Sequence, residues 1–167
     1  IVDHHRVGDV QTAAPILFVN MPVGSTATIV AERYRELGVA LPTGIAGILL
    51  SAVLTDTVLL KSPTTTSTDR EVAARLGAAV GVDPVEFGLE MFRARAAETA
   101  FSAAEAVSRD LKEYRIGDVS IGVAQVETVD TSAYLERTDE LSAALEAFRS
   151  QRGLDLAMLL VTDVVRE

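Results

Sequence analysis

The spacing of apolar residues in the first half of the chain predicts short strands that alternate with helices. Residues 14–19 form an apolar run of strand character, and a Pro-Val-Gly-Ser-Thr turn follows them. Apolar positions then recur at helical spacing over residues 26–37, with Gly24 or Ser25 as the helix cap. This half of the chain therefore starts as a strand, a turn and a helix.

A second helix is predicted from residue 42 or 43 to about residue 55. Its side chains, Ile45 and Ile48 among them, are so apolar that we expect the helix to be largely buried. Asp56 lies at the end of this helix. The hydroxyl-rich tract 64–68 is predicted to be a loop and the cap of another helix, because it lacks the glycines of a phosphate-binding loop.

The second half of the chain predicts a hairpin, one long helix and a strand. An alanine-rich stretch over residues 93–109 is the candidate linker between two domains. Residues 111–126 read as a β-hairpin with Gly117 in its turn, and a long amphipathic helix runs from residue 130 or 131 to Gly153. Residues 154–162 form a strongly apolar strand. Strands and helices that alternate in this way indicate an α/β fold.

Composition narrows the functional classes. The 167 residues are 49% hydrophobic and 23% charged, which is typical of one globular domain or a domain and a half. The 15 basic and 24 acidic residues give a net charge of −9, which disfavours binding to nucleic acid. No run approaches the roughly 20 apolar residues of a membrane span, and no signal peptide is evident, so we expect a cytoplasmic protein without membrane partners.

Asp3-His4-His5, behind the apolar pair Ile1-Val2, contains the only two histidines of the chain. Successive side chains of an extended segment point to opposite faces, so the two imidazoles are expected to have different roles. One could bind a divalent metal, the other could contact an anionic substrate, and Asp3 could orient a ring. The alternative is an exposed histidine pair without a ligand.

Asp56 is the second candidate for metal chemistry. A carboxylate at the end of a buried helix needs a partner, because an unpaired buried charge costs several kcal/mol. A metal would be such a partner, and a turn or N-cap aspartate between two threonines is the alternative. The chain has no cysteine, so its metal ligands must be nitrogen and oxygen, which suit Mn²⁺, Mg²⁺ or Co²⁺.

Several sequence blocks occur in a fixed order: IVDHHR at 1–6, PVGSTAT at 22–28, LSAVLTDT at 50–57, KSPT at 61–64, DLKEY at 110–114, AQVETVD at 124–130 and LVTD at 160–163. Together they resemble the manganese-dependent family II inorganic pyrophosphatases of the DHH phosphoesterase superfamily. The resemblance covers essentially the whole chain, whereas Asp-His-His alone would indicate only the superfamily.

The resemblance implies the C-terminal part of a DHH-type parallel-sheet domain at residues 1–94. The start of a smaller α/β domain that clamps the substrate follows at 95–167. The family's amino-terminal ligand cluster and its carboxy-terminal Ser-Arg-Lys segment are not found in the sequence, and both ends look cut. We therefore expect a fragment of the family pattern. Members often form homodimers, so a homodimer is one expectation.

The same resemblance implies site residues and an activity. His4 is similar to a metal-ligating histidine, and Asp56 to the aspartate that bridges two metals. His5 is similar to the histidine that faces the substrate phosphate, and Lys112 to a phosphate-clamping lysine of the second domain. The implied enzyme is a metal-dependent hydrolase of phosphoric anhydrides that cleaves pyrophosphate to two phosphates with a water activated by Mn²⁺, or by Mg²⁺ or Co²⁺.

The departures from the family pattern lead to further expectations. His4 and Asp56 supply two protein ligands, so the chain alone should bind Mn²⁺ weakly and hydrolyse little. Ser25 and Thr26 are expected to be structural. A DHH-superfamily phosphodiesterase or exopolyphosphatase remains an alternative, which preferential cleavage of a dinucleotide would indicate. A non-catalytic binding module is another, and replacing His4, His5 or Asp56 would then leave its binding unchanged.

Overall fold

The computed structural model describes residues 1–98 and 102–166, which form two compact units, Ile1–Met91 and Phe92–Glu167. Both units combine helices with a small sheet, so the expected α/β class is confirmed. The division into domains at 1–94 and 95–167 stays a prediction. Among the described residues, no helix combines the length and apolar character that crossing a membrane would require.

The first unit begins with two very short strands. Its elements are β1 (Val2–Asp3), β2 (Val19–Asn20), α1 (Thr26–Glu36), α2 (Thr43–Asp56), α3 (Ser67–Val80) and the first part of α4 (Pro84–Glu98). β1 and β2 pair in parallel. The strand predicted over 14–19 is confirmed only at its end, and residues 14–18, all described, have no regular structure. An apolar run becomes a strand only where a neighbouring strand pairs with it, and β1 pairs with two residues.

The first three helices share one core. Its buried side chains come mainly from α2 and α3: Ala46, Leu50, Val53, Leu54, Val72, Ala73 and Leu76. α2 nevertheless buries only one face, since Ile45 is 38% exposed and Ile48 is 66% exposed. The expectation of a largely buried helix is therefore wrong, because apolar composition does not determine which faces find a packing partner.

A strained turn ends α2. Val58, Leu59 and Leu60 have φ values of 48°, 57° and 65°, a left-handed conformation that is costly for residues other than glycine. Backbone hydrogen bonds hold the turn, among them Leu59 N to Leu54 O at 2.8 Å. Leu59 is buried, and a Cβ placed on Gly88 would lie 2.4 Å from its Cδ2. Burial of Leu59 against α4 thus offsets the strain beside Asp56.

The second unit contains the rest of α4, a short helix and a mixed sheet. Its elements are α5 (Ala103–Ser108), β3 (Lys112–Ile116), β4 (Val119–Thr128), α6 (Ser132–Leu135), α7 (Thr138–Arg152) and β5 (Leu156–Asp163). β3 pairs antiparallel with β4, and β4 pairs parallel with β5. The predicted hairpin and final strand are confirmed. Gly117, at φ 63°, supplies the positive φ that a two-residue hairpin loop requires.

The proposed linker stays a prediction, and its described part is largely helical, because α4 continues to Glu98 and Ser102 caps α5; residues 99–101 lie outside the described residues. One prediction for this unit needs correction. The single long helix is divided into α6 and α7. At the break, the Thr138 hydroxyl donates to the Leu135 carbonyl at 2.6 Å, which satisfies that carbonyl without a continuous helix.

Candidate metal and phosphate site

The two histidines lie where β1 ends. Asp3 Oδ1 accepts hydrogen bonds from the backbone N–H groups of His4 at 2.8 Å and His5 at 3.2 Å. The chain bends here, and the imidazole rings stack with their centroids 4.1 Å apart. The expectation that the rings point to opposite faces is wrong, because side-chain alternation stops where the extended strand stops.

Each imidazole contacts a different partner. His5 Nδ1 lies 2.7 Å from Asp3 Oδ1, which confirms that Asp3 contacts a ring. His4 Nδ1 lies 2.8 Å from Thr26 Oγ1. When Nδ1 carries the proton and donates it to these oxygens, each Nε2 presents a lone pair. The hydrogen bond from the His5 side chain, together with the two backbone bonds, lowers the pKa of Asp3, so its carboxylate stays ionised at neutral pH.

Asp56 is the last residue of α2, and its side chain is exposed. The predicted burial of the Asp56 charge is therefore wrong, and the N-cap alternative is wrong as well, because Asp56 ends a helix and does not start one. The carboxylate does have a specific contact, because Ser25 Oγ donates to Asp56 Oδ2 at 2.6 Å. Asp56 is thus oriented by a hydroxyl group rather than by burial.

Ser25 and Thr26 connect these candidates. Ser25 is the buried N-cap of α1, where its Oγ accepts from Ala27 N at 3.2 Å while it donates to Asp56. Thr26 is the first helical residue and contacts His4. Adjacent residues therefore hold the two candidate metal ligands, a role beyond the structural one expected from sequence. The cap position of Ser25 was visible in the sequence, but its second partner was not.

Asp69 contacts the segment 24–28, which contains Ser25 and Thr26, and it is fully buried. Its carboxylate accepts from Gly24 N at 2.8 Å and Thr28 Oγ1 at 2.6 Å in the segment, and from Thr66 N at 2.8 Å and Thr66 Oγ1 at 2.6 Å. Thr66 and Asp69 also form the capping box of α3. The sequence indicated the cap, but the contacts with Gly24 and Thr28 join residues far apart in the chain.

The donor set fits a divalent cation such as Mn²⁺. One ligand atom from each of Asp3, His4 and His5 lies within 4.8 Å of the others. Asp3 Oδ1 already accepts three hydrogen bonds, so it suits a supporting role better than metal ligation. His4 Nε2 and His5 Nε2 remain in this group, and the Asp56 carboxylate, which does not belong to it, is a further candidate; nitrogen and oxygen donors of this kind suit Mn²⁺.

Lys112 lies in the second unit, at the first position of β3, with its side chain exposed. Its Nζ lies 3.8 Å from Asp110 Oδ1, an exposed pair of the kind that adds little to stability. Asp110 has a φ of 43°, so the chain turns immediately before the strand. The role of Lys112 as a phosphate contact stays a prediction.

The Ser25–Asp56 hydrogen bond can be measured by a double-mutant cycle. We expect Ser25→Ala and Asp56→Ala to be coupled by roughly 1 kcal/mol in urea unfolding, as is typical of a hydrogen bond to a partly exposed partner. Ser102→Ala combined with Asp56→Ala is the matched control, because Ser102 caps α5 in the second unit and should show no coupling. A coupling indistinguishable from zero for the first pair would contradict the contact.

Acid should weaken the first unit through Asp69. Burial alone would raise the pKa of this carboxyl group, but hydrogen bonds from Thr28, Thr66 and Gly24 outweigh burial, so the pKa lies below its ordinary value. Such a group stabilises the fold above its unfolded pKa of about 3.9, and the contribution disappears as pH falls toward the folded pKa. Unfolding free energies measured from about pH 5 to about pH 2 should therefore fall less steeply for Asp69→Asn. Equal slopes would refute the assignment.

A family model matches the second half of the chain. Residues 89–167 match the DHHA2 domain. This match includes the whole of the second unit together with the last residues of the first.

The whole chain is also similar to longer proteins. It is 41% identical over 165 residues to the probable manganese-dependent inorganic pyrophosphatase of Bacillus licheniformis, covering 99% of this chain and 53% of that protein. It is 38% identical over 167 residues to the manganese-dependent inorganic pyrophosphatase of Methanothrix thermoacetophila, covering 100% of this chain and 54% of that protein. The chain thus spans about half the length of these relatives.

A solved structure agrees with the sequence comparisons. The crystal structure of a Methanococcus jannaschii protein assigned to the family II inorganic pyrophosphatases superposes with a TM-score of 0.83 at 36% identity. The match covers 99% of this chain and 57% of that one. The fold and the sequence therefore point to the same group of proteins.

Proposed function

We propose that this chain, which is similar over its whole length to manganese-dependent inorganic pyrophosphatases, takes part in hydrolysing pyrophosphate to two phosphates. One observation carries the proposal. The adjacent residues Ser25 and Thr26 hydrogen-bond Asp56 and His4, the two proposed metal ligands, at 2.6 Å and 2.8 Å. A nitrogen donor and an oxygen donor are thereby held from one rigid helix start.

Manganese is the proposed cofactor, with Mg²⁺ or Co²⁺ as substitutes. Bound divalent metal supplies charge neutralisation and a water of lowered pKa. The protein supplies the placement of the ligands. Thr26 keeps the His4 ring oriented when it accepts from Nδ1, and Ser25 restrains Oδ2 of Asp56, while Oδ1 is the oxygen that we propose for coordination.

We propose that His5 contacts the substrate phosphate. The side chain is 73% exposed, while its Nδ1 is held by the Asp3 carboxylate at 2.7 Å. The Asp3 carboxylate fixes the orientation of the ring at Nδ1, so that Nε2 is left to exchange a hydrogen bond or a proton with a phosphate oxygen. Asp3 thus orients His5. Lys112 is proposed as a second phosphate contact, since its ammonium group is exposed.

The remaining proposals concern partners and location. The net charge of −9 supports a protein that does not bind nucleic acid, because association with a phosphate backbone requires a basic surface. We also propose that the protein is cytoplasmic and that it forms a homodimer, as members of this family often do. Size determination in solution tests the dimer.

The activity can be tested in a chimera in which this chain replaces the matching residues of the Bacillus licheniformis relative. We expect Mn²⁺-dependent phosphate release from pyrophosphate by the chimera and little by this chain alone. His5→Gln in the chimera should lower kcat by about 100-fold, the lower range for a lost proton donor. Glu86→Gln, an exposed change in α4, is the control that should leave the rate unchanged.

Two results would contradict the proposal. A folded chimera that cleaves a dinucleotide in preference to pyrophosphate would indicate a phosphodiesterase of the same superfamily. A folded chimera without turnover of either substrate would indicate a binding module. The folded state is checked by circular dichroism before activity is compared.

A further inference from the structure

We propose that Asp69 is the positioning residue of the site: it holds both ends of the segment 24–28, so that Ser25 and Thr26 present Asp56 and His4 together. The metal-ligand part of this inference rests on the proposed function, whereas the positioning part rests on the contacts alone.

The contacts place Asp69 on both sides of the two hydroxyl residues. Gly24 N donates to Asp69 Oδ2 at 2.8 Å, and Thr28 Oγ1 donates to Asp69 Oδ1 at 2.6 Å. Ser25 and Thr26 lie between these two anchors. One carboxylate therefore holds the start of α1 at two points that are four residues apart. Two contacts restrain the rotation of the helix start as well as its distance from Asp69.

Asp69 is itself held rigidly. It is fully buried at the start of α3, and Thr66 donates to its Oδ2 through both the backbone N–H and the side-chain hydroxyl, at 2.8 Å and 2.6 Å. Thr66 Oγ1 in turn accepts from Asp69 N at 3.3 Å. A buried ionised carboxylate with four donors is costly to rearrange, because any movement leaves polar groups unsatisfied.

Close packing explains why a glycine precedes Ser25 and Thr26. A Cβ on Gly24 would lie 2.7 Å from Thr57 Cγ2 and 3.0 Å from Asp69 Oδ2. The backbone at Gly24 therefore lies close to both Asp69 and Thr57, the residue that follows Asp56. This close approach brings the Ser25 hydroxyl within 2.6 Å of the Asp56 carboxylate. A larger residue at this position would separate the groups.

Asp69 is expected to affect the two histidines differently. His4 is held by Thr26, inside the segment that Asp69 anchors, whereas His5 is held by Asp3 at the end of β1. Loss of Asp69 should release His4 and leave the His5 contact in place. Since the chain contains no other histidine, its imidazole signals report the two positions separately.

The test uses the 167-residue chain, and the probe is Mn²⁺ alone. The ring nitrogen and proton signals of both histidines are recorded by NMR for wild type, Asp69→Asn and Thr28→Val. Thr28→Val removes one anchor with little change in shape, so the test remains decisive where Asp69→Asn does not fold. Val72→Ala is the control, because this buried residue of α3 has no polar contact with the segment.

We expect the His4 tautomer signal to change in Asp69→Asn and Thr28→Val, while the His5 tautomer signal does not. The Mn²⁺ concentration at which broadening reduces the His4 signals to half their intensity should be about 10-fold or more higher in these variants than in wild type. Unchanged His4 signals in the folded variants, or an equal change in Val72→Ala, would overturn the inference. Altered His4 signals without Mn²⁺ binding by any form would support positioning by Asp69 and would show that His4 and Asp56 do not hold Mn²⁺ in this chain alone.

Discussion

Replacing Asp69 with alanine is expected to lower the free energy of unfolding of the first unit by about 3–5 kcal/mol, the range for removing one partner of a buried charged network. The substitution leaves the buried Gly24 N–H and Thr28 hydroxyl, and the half-buried Thr66 N–H, without their acceptor. It also removes the contacts that join α3 to the start of α1. Few single side chains of this unit connect elements so distant in sequence.

Asp83→Ala is the matched control for this prediction. Asp83 is also an aspartate that caps a helix, since its Oδ1 accepts from Val85 N and Glu86 N, both at 2.9 Å. It is exposed, so its loss should cost only about 1 kcal/mol, as is usual for an N-cap. Urea unfolding followed by circular dichroism measures both values. Similar losses for the two variants would show that burial does not strengthen the Asp69 contacts.

Replacing Asp56 with asparagine in the chimera is expected to lower kcat by about 1,000-fold or more. The change keeps the shape of the side chain but removes the negative charge of a proposed metal ligand. Metal stabilisation of transition-state charge is worth several kcal/mol, and each 1.36 kcal/mol corresponds to a factor of ten. The fold should persist, because Asp56 is exposed and asparagine can still accept from Ser25.

Phosphate release at saturating pyrophosphate measures this effect across a range of Mn²⁺ concentrations. High Mn²⁺ should restore part of the activity, since a lost ligand weakens metal binding as well as catalysis. Asp83→Asn is the control, because it makes the same chemical change at an exposed helix cap. Wild-type turnover by Asp56→Asn at every Mn²⁺ concentration would remove Asp56 from the proposed site.

Local sequence rules predicted most of the regular elements. Helical spacing over residues 26–37 predicted α1, which ends at Glu36. Gly117 predicted the hairpin turn between β3 and β4. These signals work because caps, turns and hydrophobic periodicity depend on residues within a few positions of one another. The break between α6 and α7 was missed because the apolar stripe continues across it.

The candidate ligands were also visible in the sequence, but their relations were not. Asp3-His4-His5 is a contiguous motif with unusual composition, so local sequence identifies it, although the prediction that its two rings point to opposite faces is wrong. The burial predicted for Asp56 is wrong, because its side chain is exposed. Its contact with Ser25 joins residues separated by 31 positions, which no local pattern specifies.

The sequence by itself determined the α/β class, most helices and strands, the family resemblance and the candidate residues. Each of these depends on neighbours in the chain or on an ordered set of motifs. Only the tertiary structure decided that Asp69 reaches Gly24 across 45 positions and that the segment 24–28 joins His4 to Asp56. A hydrogen bond is specified by atoms within about 3 Å in space, and chain folding brings them together independently of their spacing in sequence.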